Sequence, residues 1–379
     1  MKYLSLDEII IKSADTAISL MDKKKGAFPP GTNGPHGHKD TPVRNTSHWL
    51  ITILKAYEIT QNNKYLDIAN LIIKYLLSEE VRPGGYTFIH RDSKGIDKCN
   101  GLIGQAWTIE ALAEAYRVLS NNACIELAQK VFLMHPFNPK IGLWKRLDIN
   151  GSAWRGFDLT LNHQIWFAAA GSLIISQIKN HEINYQIKRF LDCLPKNIGL
   201  RKDGRFQMPV NWKNLIKNKY FTDAIRVTEI YKLLRVKGNI KKVKSGKEVE
   251  DGYHAFHLYG LGIIKETFPE HPIWSSKLIK RSVDYLFNEN YYKSVMNSKY
   301  GIGYNPPGIE VAYALQAFEE LVGKKFDINE IKRKWIYKQF EITYDLNINL
   351  MNKVKFDPDT YAARIYEVTR INNLDTIYF

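Results

Sequence analysis

Segments with apolar residues at i, i+3, i+4 and i+7 recur in pairs along this chain, and that spacing constrains its fold more than any other feature. The first pair is HWLITILKAYEIT (48–60) and YLDIANLIIKYLLS (65–78), joined by QNNK. The second is GQAWTIEALAEAYRVLS (104–120) with CIELAQKVFLM (124–134), and the third HQIWFAAAGSLIISQI (163–178) with NYQIKRFLDCL (184–194). The fourth joins YHAFHLYGLGIIKETF (253–268) to IWSSKLIKRSVDYLF (273–287), and the fifth GIEVAYALQAFEELVG (308–323) to FDINEIKRKWIYKQF (326–340). First members are rich in small and aromatic residues, whereas second members carry charge along one side. Helices packed on all sides would form an inner layer, and amphipathic ones an outer layer. Helices near 5–22 and 359–371 supply a sixth pair. The pattern predicts an all-α chain, an α/α toroid of about six helical hairpins spanning 1–379 as a single domain. GGYTFIH (84–90) and LWKRLDING (143–151) read as small β-hairpin or loop insertions. An open right-handed solenoid is the structural alternative.

A length of 379 residues would ordinarily suggest two or three domains, but a closed ring can absorb it in one layer pair. The opening MKYLSLDEIIIKSADTAISLMDKKK contains Asp7 and Glu8 and reads as an amphipathic helix, not a signal peptide. No run reaches the roughly 18 apolar residues of a membrane span. Cys99, Cys124 and Cys193 are odd in number and far apart, which argues against a disulfide framework. A reducing, cytoplasmic setting is expected. The net charge of +15, concentrated at 235–247 and 324–338, fits either a solvated lysine-rich surface or an anionic partner. No zinc-finger, RNP-like or basic-zipper pattern points to nucleic acid, and an acidic polysaccharide suits the charge equally well.

In a ring, the segments leading into the inner helices surround one mouth. Here they are RNTSHW (44–49), CNGLIGQAW (99–107), FDLTLNHQIW (157–166), EVEDGYHAFH (248–257) and GYNPPGIE (303–310). His48, Gln105, His163 with Gln164, His254 with His257, and Glu310 therefore fall at matching places. Taken singly, Thr46, Asn100, Asn162 and Asp251 read as N-caps and each histidine as a satisfied core residue. Taken together, polar groups starting five apolar helices would cost free energy unless paired or used. Sugar hydroxyls need such polar partners, and pyranose faces stack on aromatic rings. Arg44, Asn45, Trp107, Trp144, Arg146, Trp154, Arg155, Asp158, Asn162, Tyr304 and Asn305 complete the expected binding set, with arginines suited to clamping a sugar carboxylate.

His36 and His38 lie two apart in the glycine-rich GAFPPGTNGPHGHKD, without the helical spacing of a metal pair, and read as loop residues overhanging the first inner helix. No compact Cys/His set exists, so neither metal nor cofactor is expected. Hydrolysis of a glycosidic bond would need two carboxyl groups, drawn from Asp40, Asp158, Glu248, Glu250, Asp251 and Glu310. Epimerisation or β-elimination would instead use a base such as His48, His163, His254 or His257, with Arg44 or Arg155 meeting enolate-like charge. Histidines outnumber carboxylates where the inner helices start, which favours proton abstraction from an acidic glycan. A binding protein without catalysis is the third reading.

With CNGLIGQAWTIEAL and NHQIWFAAAG opening inner helices, the chain resembles the (α/α)6-barrel carbohydrate-active enzymes, which include N-acylglucosamine 2-epimerase-like proteins, unsaturated uronyl hydrolases and polysaccharide lyases. The epimerase-like branch implies a histidine pair, for which His163 and His254 or His257 are the matching choices. The uronyl hydrolase branch implies inner-ring aspartates where this chain has histidine or glutamine.

Overall fold

The computed structural model describes residues 3–153, 156–236, 240–323, 326–372 and 377–378. After strand β1 (Tyr3–Leu4) come helices α1 (Leu6–Leu20), α2 (Val43–Thr60), α3 (Asn63–Leu76), α4 (Gly101–Leu119) and α5 (Asn122–Met134). Strands β2 (Phe137–Asn138) and β3 (Leu143–Trp144) form a small antiparallel hairpin before α6 (Leu161–Gln177) and α7 (His181–Asn197). Helices α8 (Trp212–Lys217), α9 (Phe221–Val236), α10 (Ile240–Thr267), α11 (Lys277–Asp284) and α12 (Glu289–Met296) follow. The chain ends with α13 (Pro307–Ala317), α14 (Ile328–Thr343), strands β4 (Tyr344–Asp345) and β5 (Leu350–Met351), α15 (Pro358–Ala363) running into a 3-10 segment (Arg364–Arg370), and β6 (Ile377–Tyr378).

Helices α2, α4, α6, α10 and α13 pack in succession, and the 358–370 segment touches both α13 and α2. The inner layer is therefore a closed ring of six, and not a solenoid. β1 pairs with β6 antiparallel, tying the two ends of the described chain together (Tyr3 opposite Tyr378, Leu4 opposite Ile377). The layers follow from sequence. In α6, LNHQIWFAAAGSLIISQ is buried on nearly every side. In α7, burial is confined to Ile183, Gln186, Ile187, Phe190, Leu191, Cys193, Leu194 and Asn197, largely the one-sided stripe of an outer helix. The Asn180 side chain caps α7 by accepting from the Ile183 N–H at 3.0 Å.

Between the third and fourth pairs the chain adds further helices. Helices α8 and α9 fill a stretch without clear periodicity, and α10 begins well before Tyr253. Ile141, Leu143, Phe157, Val210, Leu215, Ala224 and Val227 form a separate small core that holds this insertion against the β2–β3 hairpin. Of the hairpin or loop expected at 84–90, the structure shows a loop without a strand, followed by one isolated bridge of Arg91 opposite Asp40. Parts of the two basic stretches, 237–239 and 324–325, lie outside the described residues.

Phe167 on α6 is fully buried, stacked on Phe132 of α5 (centroids 4.5 Å apart, 5° between planes) and edge-on to Trp144 at 5.5 Å. Because this contact joins an inner helix to the outer helix of the preceding pair, Phe167→Ala should destabilise the protein by about 3–5 kcal/mol. A lowered urea midpoint at unchanged slope would register the loss.

Candidate functional site

Where the inner helices begin, a cavity of about 270 Å³ opens between them. Of the residues expected from sequence, Arg44, Asn100, Trp107, Arg146, Asn162, His163, Tyr304 and Asn305 line it. Asp158 lies directly behind His163. On the loop before α6, its Oδ2 accepts hydrogen bonds from His163 Nδ1 at 2.9 Å and from the Leu102 N–H of α4 at 3.0 Å, while Oδ1 accepts from the Thr160 N–H at 3.2 Å. Burial alone would raise this carboxyl, but the His163 and Arg146 charges and the hydrogen bonds outweigh it and hold Asp158 well below the usual carboxylate range. An ionised carboxylate only accepts, so Nδ1 carries the proton of this hydrogen bond and Nε2 is the ring nitrogen not engaged by Asp158.

The start of α4 makes this possible. Asn100 (φ 57°) and Gly101 (φ 58°) are both left-handed, which swings the Leu102 amide onto Asp158. A side chain at Gly101 would overlap Asp158 Oδ2 and sit 2.8 Å from His163 Nδ1. Asn100 occupies the cap position without a side-chain cap bond. Thr46, Asn162 and Asp251 are not caps, because α2, α6 and α10 begin upstream of them. Thr46 instead accepts from the Phe28 N–H at 3.0 Å, and Asn162 Oδ1 on the cavity wall has no partner.

Guanidinium groups dominate the rest of the wall. Arg44 is almost wholly buried, stands 4.1 Å over the Trp107 ring, and donates to Asn33 Oδ1 at 3.2 Å and Asp40 Oδ2 at 3.4 Å. Burial pushes Asp40 up to about 6 against the pull of Arg44 and Arg91. Arg91 also lines the cavity; burial lowers its pKa, and its Nε has no hydrogen-bond partner. Arg146 faces Asp97 at 3.9 Å. Deeper in, Arg364 donates to the Tyr304 carbonyl at 3.2 Å and to Asn305 Oδ1, and pairs with Glu310 at 2.8 Å and Glu367 at 2.6 Å.

Several expected residues stand away from the wall. Glu310 is completely buried as an Arg364 partner, and burial raises it well above the usual glutamate range. His48 is stacked on Tyr366 at 4.5 Å and edge-on to Trp107 at 5.4 Å, with neither ring nitrogen hydrogen-bonded; burial, then Arg44 and Arg364, push its pKa well below the ordinary value. His254 and His257 turn towards Phe206, at 5.1 and 5.3 Å, and His254 bonds the Phe206 amide and the Ser282 carbonyl. The helical register puts Tyr253 and Phe256 on the cavity side instead. Gln105 and Gln164 do hold equivalent positions, but as clamps: each bonds both the N–H and the C=O of one residue ahead of its helix, Phe88 in a loop and Trp144 in β3 respectively. Trp144 is core, donating to Gln186 at 2.7 Å, and Asn45 donates to the Pro29 carbonyl at 2.9 Å. Glu248, Glu250 and Asp251 bond Ser298, Arg201 with Arg205, and Arg205 with Tyr285 and Ser294, respectively. Trp154 and Arg155 lie outside the described residues.

The wall also contains residues that sequence reasoning left out: Asn33, Arg91, Asp97, Tyr253 and Arg364, together with the loop histidines His36 and His38. Arg91, Asp97 and the 33–38 loop come from connections, where no periodicity assigns a direction. Tyr253 could have been found from the i, i+3 partnership with Phe256. Among the described residues, no group of three or more His, Cys, Asp or Glu gathers to hold a metal, and no helix is long and apolar enough to cross a membrane.

No family model matches the sequence. Over 374 residues, 98% of each chain, it is 38% identical to archaeal glycosylation protein Q of Haloferax volcanii. Among solved structures it is similar to D-mannose isomerase (TM-score 0.63, 15% identity, 96% of each chain covered). It is similar also to cellobiose 2-epimerase from Bacillus thermoamylovorans B4167 (0.60, 12%, 93% of this chain and 94% of that one) and to an unsaturated glucuronyl hydrolase specific for heparin (0.58, 13%, 96% of each). These are (α/α)6-barrel enzymes, and the fold of this chain is theirs.

Gly101→Ala should break the Asp158–His163 hydrogen bond while leaving the ring folded, since strain and overlap meet at that one position. Proton NMR of the imidazoles would show it as loss of the hydrogen-bonded His163 Nδ1–H resonance.

Proposed function

The chain belongs to the family of archaeal glycosylation protein Q, and we propose that it is a carbohydrate-active enzyme that abstracts a carbon-bound proton from a uronic-acid-type sugar. The observation that carries this is the Asp158–His163 pair on a cavity bordered by Arg44, Arg91, Arg146 and Arg364. His163 Nε2 acts as the base. Asp158 fixes its tautomer and steadies the imidazolium formed when the proton arrives. Abstraction beside a carboxylate builds enolate-like charge, which Arg91 and Arg44 are placed to meet as preorganised donors. Their guanidinium planes suit a sugar carboxylate, with Trp107 beneath as a stacking face.

Glycoside hydrolysis, the runner-up, is less well served. It needs two free carboxyl groups facing across the scissile bond. Asp97, on the wall, is engaged with the Cys99 and Gly101 amides, both oxygens of Asp158 are taken, and Asp40 sits behind Arg44. The relative's description as a glycosylation protein supports a role in glycan assembly over glycan breakdown, and the isomerase and epimerase among the structural neighbours support proton-transfer chemistry.

Incubation with glucuronate-bearing oligosaccharides in deuterated water should introduce deuterium at carbon. His163→Ala should cut that incorporation by about 10²–10⁴-fold with the fold intact, and Asp158→Asn should cut it through loss of the correct tautomer. Reducing-sugar release that survives His163→Ala, without deuterium uptake by the wild type, would identify a hydrolase and overturn the assignment. Arg91→Gln should chiefly raise KM for acidic over neutral substrates, measured in parallel.

A further inference from the structure

A second pair of proton-bearing groups lies in the same wall, and the abstraction step does not use it. His36 Nε2 and Tyr253 Oη are 3.3 Å apart, and both residues line the cavity. They come from different parts of the chain: Tyr253 from α10, His36 from the loop before α2. The Asp158–His163 pair stands at the head of the neighbouring inner helix, α6.

The loop is built to keep His36 in place. Asn33, Gly34 and Gly37 are all left-handed (φ 56°, 58° and 68°), a backbone path most residues resist. Asp357 Oδ2 accepts from the Thr32 and Gly34 amides at 3.0 and 2.9 Å, and a side chain at Gly34 would fall inside the Tyr304 ring. The imidazole itself lies 5.8 Å from both the Tyr300 and Tyr304 rings. Burial, then the charges of Arg91, His38, Arg44 and Lys299, lower His36 to about 4, while burial raises Tyr253 well above the usual phenol value. At neutral pH the pair is therefore an uncharged imidazole bonded to an uncharged phenol, competent to pass a proton without separating charge.

We propose that Tyr253, with His36 behind it, returns a proton to the carbon that His163 deprotonates, from another side, so that the enzyme inverts that carbon and is an epimerase. This rests on the proton-abstraction reading above. The C–H bond breaks with its proton going to His163 Nε2 and its electron pair entering the enolate. The Tyr253 O–H proton then forms the new C–H bond. His36 Nε2–H replaces the proton on the Tyr253 oxygen while His36 Nδ1 takes one from water, exchange with water returns the imidazole to its Nε2–H form, and His163 releases its own proton to water. Protons and charge balance, and no co-reactant is consumed. Tyr253 is the catalytic residue of this step; His36 positions and recharges it.

The test uses full-length enzyme, a glucuronate-bearing oligosaccharide in deuterated water, and NMR that separates deuterium in recovered substrate from inverted product. Tyr253→Phe should lower inverted product by about 10²-fold or more while deuterium still enters the recovered substrate, because His163 continues to exchange the proton on its own side. His36→Gln, on the loop and outside the helical ring, should lower inversion about tenfold with the same exchange retained. A merely structural role would depress exchange and inversion together, and that result overturns the proposal. So does inversion at the wild-type rate in Tyr253→Phe, or a wild-type product with a new double bond, which would make Tyr253 the acid for a leaving group. Wild-type enzyme that neither exchanges nor inverts would instead remove the abstraction reading, and this inference with it.

Discussion

One buried guanidinium holds the ring closed. Arg364, in the 358–370 segment, donates to the Tyr304 carbonyl and Asn305 Oδ1 ahead of α13 and pairs with Glu310 inside that helix, while Glu367 on its own segment completes its shell. The closing segment is a six-residue helix running into a seven-residue 3-10 stretch, and directional bonds help to seat it. Burying this ion set is expensive, and removing one partner would leave an uncompensated charge inside the ring. The same guanidinium reaches the cavity wall. One side chain thus serves both the closure of the fold and the charge of the site.

Asp158 plays a comparable part on the other side of the cavity. A single carboxylate oxygen joins the amide of one inner helix to the imidazole of the next, so the orientation of His163 is tied to how these two helices pack. Sites supported in this way keep catalytic groups oriented because their partners cannot move independently. The electrostatic division follows: His163 faces the cavity beside its carboxylate, whereas His48, His254 and His257 lie deeper among aromatic rings, where burial keeps them uncharged.

Much of the ring was legible in the sequence because inner and outer helices differ in composition, and that difference is a direct consequence of being packed on all sides or on one. The site was legible only in part. His163, Arg44 and Trp107 could be placed because they stand within a turn or two of a helix start. Helical register misled for His254 and His257, since a step of one residue turns a side chain by about 100° and moves Tyr253 onto the wall in their place. Matching positions misled for Gln105 and Gln164, whose equivalence reflects a repeated structural clamp. Arg91 was out of reach, and His36 was read only as a residue of the loop overhanging the first inner helix, because loops carry no period from which direction can be read.

By itself the sequence determined that the chain forms paired helices in two layers, that polar groups cluster where the inner helices start, and that positive charge predominates. The reason is local: periodicity and composition act within a helix or between neighbours. Tertiary structure alone decided which polar groups share a cavity. Asp158 meets Leu102 across 56 residues of chain, and His36 meets Tyr253 across 217. Such contacts depend on the angle at which each helix enters the ring and on the left-handed turns that precede it, and neither is encoded in any short stretch of residues.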